Sequence, residues 1–188
     1  RIHSGVVIAN KNLDTAKSLS KMIATDYYHV STSIDINGVE VCAAIKNIFS
    51  MAIGAAAGLN KTKPRGNLHL NTAATLVKQS VYEMEVFTEF LKGKKETAKG
   101  LAGLGDLYVS IAGGRNSKMG ALIGEGIVFS EAKKNKMSNV TVEGAELIFE
   151  IGKKVKEDFD EKKLPLMIAM INAILEDKKL EIKWENFN

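Results

Sequence analysis

A single lysine within a long apolar run is the first feature of this sequence that suggests chemistry. The run extends from Gly38 to Leu59, carries apolar residues on every helical face and holds Lys46 near its centre. A helix without a polar face is typical of a domain interior. Burial disfavours a charged ammonium group, so Lys46 requires a nearby carboxylate or a chemical role. The alternative is a lysine whose stem lies on apolar surface while its ammonium group reaches water.

A second stretch, Leu101 to Gly120, contains an isolated carboxylate and a hydroxyl group. Asp106 lies among apolar residues just after a glycine turn, and Ser110 follows at i+4, on the same helical face. An aspartate at such a position is also a candidate helix N-cap. From these residues alone, a functional and a structural interpretation of Asp106 both stay open.

The same stretch ends in Gly-Gly-Arg-Asn, residues 113 to 116, at a predicted helix start. Backbone N–H groups at the positive end of a helix, together with the five donors of a guanidinium, suit a phosphate oxyanion. Arg115 and Asn116 are therefore candidate phosphate ligands. A surface capping turn is the alternative interpretation of this short motif.

One strand-helix-strand unit followed by helices must position these residues. Strands are predicted at Gly5 to Ala9 and Tyr27 to Thr32, and a helix with Asn12 as its N-cap at Leu13 to Ala24. A single such unit cannot bury a sheet, so we expect the earlier part of this domain to be missing. Further helices are predicted at Gly38 to Leu59, Leu70 to Leu91, Lys94 to Gly100, Asp106 to Ala112, Asn116 to Lys136, Glu143 to Glu157 and Leu164 to Asp177. Asn60 to Asn67 is the predicted loop, and the tail with Trp184 is either a docked strand or a frayed end.

Composition is that of an ordinary globular protein of 188 residues, with 45% hydrophobic and 26% charged residues. The net charge of +4 is spread over mixed Lys and Glu residues without interleaved aromatics, which argues against nucleic-acid binding.

Cys42 is the single cysteine and suits a reducing compartment. Arg1 to Asn10 lacks the apolar core of a signal peptide. Glu40, Lys46 and Asn47 would be costly in lipid, so no membrane span is expected at Gly38 to Leu59.

Four motifs in order resemble the C-terminal half of NAD(P)-dependent glycerol-3-phosphate dehydrogenases. They are GVEVCAAIKNI from Gly38, GLAGLGDL from Gly100, GGRNSK from Gly113 and VEG from Val142. Val6 to Thr32 also resembles the last strand, helix and strand of that family's dinucleotide-binding domain. The resemblance implies a mainly α fold, with a helical substrate domain of the 6-phosphogluconate-dehydrogenase C-terminal-like type at 37–188 and a β-α-β remnant of the dinucleotide-binding domain at 1–36.

The resemblance also implies roles for individual residues. Lys46 matches the catalytic lysine that protonates the carbonyl oxygen of dihydroxyacetone phosphate, and Asp106 matches the aspartate that orients it. The implied substrate contacts are Asn47, Ser110, Arg115 and Asn116, and the implied cofactor contacts are Arg115, Thr141 and Glu143, with no metal. Ser110 stands where many relatives have threonine and Ser117 where they often have arginine.

NAD or NADP is the implied cofactor, and a phosphorylated substrate, a homodimer and a cytoplasmic location are implied with it. Because the main nucleotide-binding motif is absent from the sequence, we expect little activity from the chain alone. Two alternatives stay open: a helical binding or oligomerisation module without catalysis, and a related dehydrogenase of another phosphorylated hydroxy compound.

Overall fold

The computed structural model describes residues 1–59 and 69–187, and the loop predicted at Asn60 to Asn67 lies outside them. Two strands come first, with one helix between them: β1 (Ser4–Ala9), α1 (Leu13–Ile23) and β2 (Tyr28–Ser33). The remaining helices are α2 (Ile36–Gly54), α3 (Leu70–Phe90), α4 (Asp106–Ile111), α5 (Arg115–Gly124), α6 (Phe129–Lys136), α7 (Glu143–Asp158) and α8 (Pro165–Leu175). Short 3-10 segments lie at Ala55–Ala57, Lys95–Lys99 and Trp184–Asn186, and a π-helical turn lies at Leu101–Gly105.

The N-terminal unit is a parallel strand pair joined by one helix. β1 pairs with β2 in a register that sets Ser4 opposite Tyr28 and Ala9 opposite Ser33. The predicted cap of α1 is confirmed, because the Asn12 side chain accepts from the N–H groups of Asp14 and Thr15. The predicted mainly α architecture with a short N-terminal β-α-β unit is confirmed as well.

Helix α2 is the central element and contacts α3, α4, α5, α7 and α8. With its 3-10 extension to Ala57 it is long and apolar enough to cross a membrane by length and composition, and 61% of its most apolar window is buried. A core helix of a folded domain has the same length and composition. Because the neighbouring helices cover most of it, this segment is not a clear membrane span.

The start of α2 is fixed by Asp35, which the sequence analysis did not single out. Its carboxylate accepts from Gly38 N at 3.0 Å, Lys94 N at 2.9 Å and Thr97 Oγ1 at 2.6 Å. Burial by itself would raise the pKa of Asp35, but the hydrogen bonds from Thr97, Lys94 and Gly38 outweigh burial and lower it. Asp35 thus caps α2 and ties it to the 3-10 segment after α3.

Glycines let α5 approach the backbone of α2 directly. A Cβ on Gly120 would overlap the Met51 carbonyl oxygen, and a Cβ on Gly124 would overlap that of Ala55. From the other side, a Cβ on Gly54 would overlap the Ser117 carbonyl. These contacts at i and i+4 of α5 fix its height and rotation against α2.

Two sequence-based element predictions are wrong, and the structure decides a third that was left open. The helix predicted at Asn116 to Lys136 is two helices, because Gly126 adopts a φ of 88° and turns the chain between α5 and α6. The helix predicted at Lys94 to Gly100 is a 3-10 segment. For the tail, where a docked strand and a frayed end were both left open, the structure has a 3-10 turn at Trp184–Asn186.

Glu83 is a fully buried carboxylate that caps α8 from α3. It accepts from the N–H groups of Leu166 and Met167, both at 2.7 Å, and from Gln79 Nε2 at 2.9 Å. The carboxylate, as acceptor, satisfies N–H groups at the start of α8 that have no partner within the helix. Burial raises the pKa of Glu83 to about 7, against the opposing effect of the hydrogen bonds from Gln79, Leu166 and Met167.

We expect the Gly120→Ala substitution to lower the free energy of unfolding by about 3 kcal/mol, because its Cβ would overlap backbone that cannot move aside cheaply. The matched control is Gly152→Ala in α7, where the new Cβ meets only side-chain methyl groups, at 3.2 Å or more. Urea unfolding followed by circular dichroism measures both. Equal losses for the two variants would contradict the close-contact explanation.

We expect the stability that Glu83 confers to depend on pH. Since its pKa rises from 4.5 to about 7 on folding, the folded state holds more protons between these values, so stability falls as pH rises through this window. The wild type should lose about 3 kcal/mol relative to Glu83→Gln between pH 4.5 and 7. Urea midpoints at several pH values measure the difference. A constant difference between the two proteins would refute the raised pKa.

Candidate active site

A cleft of about 430 Å³ lies where α2, α4, α5 and the start of α7 meet. Its lining residues are Ala43, Lys46, Asn47, Asp106, Ser110, Gly114, Arg115, Asn116 and Glu143. The cleft therefore brings together residues that are far apart in the chain, including all but one of the residues singled out from the sequence. The exception is Thr141, an exposed residue before α7 that does not line the cleft.

Lys46 and Asp106 form an ion pair within this cleft. Lys46 Nζ lies 2.5 Å from Asp106 Oδ2, and the two side chains are 16% and 41% exposed. Asp106 begins α4, but its carboxylate makes no capping hydrogen bond there, so the N-cap interpretation is wrong. The expected contact between the two groups is confirmed. A largely buried ammonium beside a carboxylate, with cleft space in front of it, can transfer a proton to or from a bound ligand.

The π-helical turn Leu101–Gly105 sets the direction from which Asp106 enters the cleft. Its wide turn is closed by the Gly105 N–H donating to the Gly100 carbonyl at 3.1 Å. Gly103 packs directly on the Ala98 backbone, where a Cβ would overlap the carbonyl. Single π turns occur often at functional sites because they shift the phase of the following helix. Asp106 thereby faces α2 on the side that carries Lys46.

Ser110 contacts the site through backbone groups. Its hydroxyl donates to the Asp106 carbonyl oxygen at 2.8 Å, and its own carbonyl accepts from Ser50 Oγ at 3.1 Å. The Ser110 hydroxyl can still accept a hydrogen bond from a ligand in the cleft. The bond from Ser50 also fastens α4 to α2.

Arg115 and Glu143 form the opposite wall of the cleft. Arg115 is the first residue of α5, Glu143 is the first residue of α7, and the guanidinium donates to the Glu143 carboxylate. Their side chains are 58% and 35% exposed. No side chain caps α5, so N–H groups of its first turn have no side-chain partner beside the guanidinium-bearing residue. This end of the cleft suits an anion.

Asn116 is buried between the two walls. Its Oδ1 accepts from Gly144 N at 2.9 Å, and its Nδ2 lies 3.2 Å from both Asn47 Oδ1 and Glu143 Oε2. The sequence predicted Asn116 as a ligand of the substrate, but its polar atoms bond protein groups in this structure. Among the described residues, no three His, Cys, Asp or Glu side chains come together to hold a metal ion.

The glycines that position the site were missed by the sequence analysis. Gly54 and Gly58 on the α2 side and Gly120 and Gly124 on α5 are each four residues apart. This small-xxx-small spacing is the signal that could have indicated close helix packing.

The protein is a helical domain in which a lysine–carboxylate pair and an arginine at a helix N-terminus line one cleft. A domain of this class is suited to binding small anionic substrates. The family model for the NAD-dependent glycerol-3-phosphate dehydrogenase C-terminus matches residues 35–184, and the chain belongs to this family. The resemblance seen in the sequence motifs is therefore confirmed.

Individual relatives agree with this assignment. The chain is 32% identical over 187 residues to an NADP(+)-dependent glycerol-3-phosphate dehydrogenase of Archaeoglobus fulgidus, covering 96% of this chain and 53% of that one. It is 36% identical over 145 residues to a glycerol-3-phosphate dehydrogenase (NAD(P)+) of Carboxydothermus hydrogenoformans, covering 76% and 40%. The crystal structure of glycerol-3-phosphate dehydrogenase from Coxiella burnetii superposes with a TM-score of 0.77 at 28% identity, covering 95% and 52%. The chain thus spans about half the length of the relatives it matches.

We expect Lys46 and Asp106 to be coupled energetically. In a double-mutant cycle with Lys46→Met and Asp106→Asn, the coupling free energy should be about 1 kcal/mol, because the ammonium is largely buried while the carboxylate is partly screened by water. Urea unfolding of the four proteins measures it. The control cycle is Lys154→Met with Asp158→Asn, a pair 2.8 Å apart whose lysine is 69% exposed, where we expect a smaller coupling. A coupling no larger than the control would contradict a specific interaction.

Proposed function

We propose that this chain is the substrate-side part of an oxidoreductase that interconverts sn-glycerol 3-phosphate and dihydroxyacetone phosphate with NAD or NADP. The observation that carries this proposal is the placement of the Lys46–Asp106 pair and Arg115 in one cleft. A ketose phosphate needs both a proton donor at its carbonyl oxygen and a cation at its phosphate. The family's relatives carry this activity in their names.

Lys46 acts in the proton step of the proposed reaction. In the reducing direction, hydride adds to the carbonyl carbon while the Lys46 ammonium gives a proton to the carbonyl oxygen, and a secondary alcohol forms. In the oxidising direction the neutral amine takes the hydroxyl proton as hydride leaves. Asp106 orients the ammonium and stabilises its charge. General acid catalysis of this kind is typically worth about 10²- to 10⁴-fold in rate.

The substrate phosphate binds at the start of α5 in this proposal. Arg115 lines the cleft there, at a helix start whose first-turn N–H groups have no side-chain cap. The hydrogen bond that Arg115 donates to the Glu143 carboxylate supports a role of this guanidinium as a donor to an oxyanion. Because the pair is half exposed, it contributes little stability, and a phosphate dianion can exchange with the carboxylate at low cost. Ser110 and Asn47 are placed to contact the carbons and hydroxyl groups between the two ends.

The nicotinamide nucleotide supplies or accepts the hydride when bound. A half-exposed guanidinium and carboxylate at the mouth of the cleft suit its hydroxyl, amide and phosphate groups, so Arg115 and Glu143 fit a cofactor contact. Thr141, exposed just before α7, is proposed as a further contact outside the cleft.

The proposed domain boundary between residues 36 and 37 falls in the first turn of α2, and the family match begins at residue 35.

Self-association and a cytoplasmic location extend this proposal. Tyr108 and Val109 on α4 are 71% and 68% exposed, and apolar surface of this kind favours association, here as a homodimer. The buried, unpaired Cys42 suits a reducing compartment. Arg115 favours a phosphorylated substrate over other hydroxy compounds.

The proposal is tested by steady-state kinetics with the full gene product that carries these 188 residues. We expect Lys46→Ala to lower kcat by about 10²- to 10⁴-fold with a smaller change in KM, because it removes the proton donor. We expect Arg115→Gln to raise the KM for dihydroxyacetone phosphate by about 10- to 100-fold, because it removes a charged hydrogen bond. Oxidation of NADH and NADPH at 340 nm measures both.

Lys154→Ala, which removes an exposed lysine far from the cleft, is the control and should leave both constants unchanged. Unchanged turnover in Lys46→Ala, or equal use of unphosphorylated dihydroxyacetone by the wild type, would overturn the proposal. The isolated chain is assayed in parallel. We expect little turnover from it, because the strand-helix turn at Asn10 to Asn12 has no glycine to bring backbone close to nucleotide phosphates.

A further inference from the structure

The two carboxylate oxygens of Asp35 hold two different segments of the chain. Oδ1 accepts from Gly38 N at 3.0 Å, in the first turn of α2. Oδ2 accepts from Lys94 N at 2.9 Å and from Thr97 Oγ1 at 2.6 Å, at the 3-10 segment after α3. Asp35 is only 8% exposed, so loss of a bond leaves a buried polar group without its partner. One buried side chain therefore joins the start of α2 to the segment that precedes α4.

The Oδ1 side of this junction leads to Lys46. Lys46 lies on α2, eleven residues after Asp35, which is about three helical turns. A Cβ on Gly38 would lie 1.9 Å from Asp35 Oδ2, and a Cβ on Gly93 would lie 2.7 Å from the Gly38 backbone. The start of α2, the carboxylate and the turn after α3 are thus in direct contact, and α2 cannot slide or rotate here without breaking these bonds.

The Oδ2 side leads to Asp106 through a short bonded segment. The Thr97 carbonyl accepts from Gly100 N at 3.1 Å, just before the π-helical turn. Ala98 is fully buried, and a Cβ on Gly103 would lie 2.2 Å from its carbonyl oxygen, so the π-helical turn packs directly on this backbone. Asp106 is the next residue after the turn. A shift of Thr97 is therefore transmitted to Asp106.

The far end of α4 is anchored separately. Ser50 Oγ on α2 donates to the Ser110 carbonyl at 3.1 Å. Because α4 has only six residues, one bond near its end does not fix the direction of its start. The placement of Asp106 beside Lys46 then requires a second anchor, and the bonds to Asp35 supply it.

We propose that Asp35 is a positioning residue whose carboxylate holds Lys46 and Asp106 together, through Gly38 on one side and Thr97 on the other. The inference deepens the proposed function and rests on it for its catalytic consequence. Asp35 does not line the cleft, so it acts only through the two segments that it joins. In the proposed proton step, the Asp106 carboxylate must stay beside the Lys46 ammonium while hydride is transferred.

The Asp106 side of the junction is tested by Thr97→Val, which removes the hydroxyl bond to Oδ2 and leaves the Oδ1 cap of α2 in place. In the full gene product, we expect the single-turnover rate constant for dihydroxyacetone phosphate reduction to fall about 3- to 10-fold, because the proton donor is misplaced. The half-saturating substrate concentration should change less than about 2-fold, because the phosphate-binding end is untouched. Stopped-flow absorbance at 340 nm measures both.

Two matched variants control for the loss of a hydroxyl group. Thr97→Ser keeps the hydroxyl and should restore the wild-type rate constant. Ser130→Ala removes a hydroxyl bond of the same length, 2.6 Å, to the carboxylate of Asp177 at residues that do not line the cleft. It should leave the rate constant unchanged. A rate loss as large in Ser130→Ala as in Thr97→Val would overturn the proposal.

A positioning role is separated from simple stabilisation by the Asp106→Asn background. Thr97→Val should cost less than about 2-fold there, because the carboxylate that Thr97 helps to place is already gone. An equal loss in both backgrounds means that the Asp35 junction only stabilises the fold, and the proposal is then wrong.

The carboxylate itself is tested by Asp35→Asn. A main-chain N–H faces each oxygen, so the new NH₂ group must oppose either Gly38 N or Lys94 N in both orientations. One of the two segments is therefore released, and we expect the single-turnover rate constant to fall roughly 10- to 100-fold. An unchanged rate constant would refute the role of Asp35. If this variant does not fold, Thr97→Val and its cycle decide the question.

The geometric part is tested without any activity. The double-mutant cycle with Lys46→Met and Asp106→Asn is repeated by urea unfolding in the Thr97→Val background. The coupling should fall to that of the exposed Lys154–Asp158 control pair, because the two groups are no longer held in contact. An unchanged coupling would contradict the positioning role.

The two readouts separate the inference from the function on which it rests. A wild type without turnover, whose coupling is nevertheless lost in Thr97→Val, means that the proposed function fails while Asp35 still positions the ion pair. An active wild type with the same coupling in both backgrounds means that only the positioning role is wrong.

Discussion

The direct backbone contact between α2 and its neighbours is the constraint on which the rest of this structure depends. Gly120 and Gly124 bring α5 onto the carbonyl groups of α2, and Gly144 does the same for α7. Side chains at these positions would hold the helices apart by the width of a methyl group or more. Since Lys46, Arg115 and Glu143 sit on these three helices, their separation across the cleft is set by glycine contacts and not by the charged groups themselves.

The charged groups of the cleft are arranged by this packing in two linked sets. Lys46 and Asp106 form one set at the α4 side, and Arg115 and Glu143 form the other at the starts of α5 and α7. The Asn116 amide bonds to Glu143 of the second set and to Asn47, the residue that follows Lys46 on α2. Away from the cleft, the buried carboxylates of Asp35 and Glu83 stabilise the fold. They accept hydrogen bonds from N–H groups at the starts of α2 and α8.

Local signals were sufficient for much of the fold. Apolar periodicity located α2, α3, α7 and α8 to within a few residues, and Asn12 was identified as a cap because capping depends on a side chain and the N–H groups two or three residues ahead. The helix predicted across Gly126 failed because its periodicity continues through a residue whose positive φ ends the helix. The 3-10 and π turns before Asp106 were also missed, since they differ from an α-helix only in hydrogen-bond partner.

The sequence by itself determined the family, the central apolar helix and the identity of the residues that could do chemistry, because ordered motifs and helical periodicity are properties of neighbouring positions. Only the tertiary structure decided that Asp106 pairs with Lys46 instead of capping its helix, that Arg115 meets Glu143, and that Asn116 bonds to protein groups on three sides. These contacts join residues 27 to 69 positions apart. Their geometry follows from how closely glycine lets helices pack, and the spacing of the glycines along the chain does not say which helices meet.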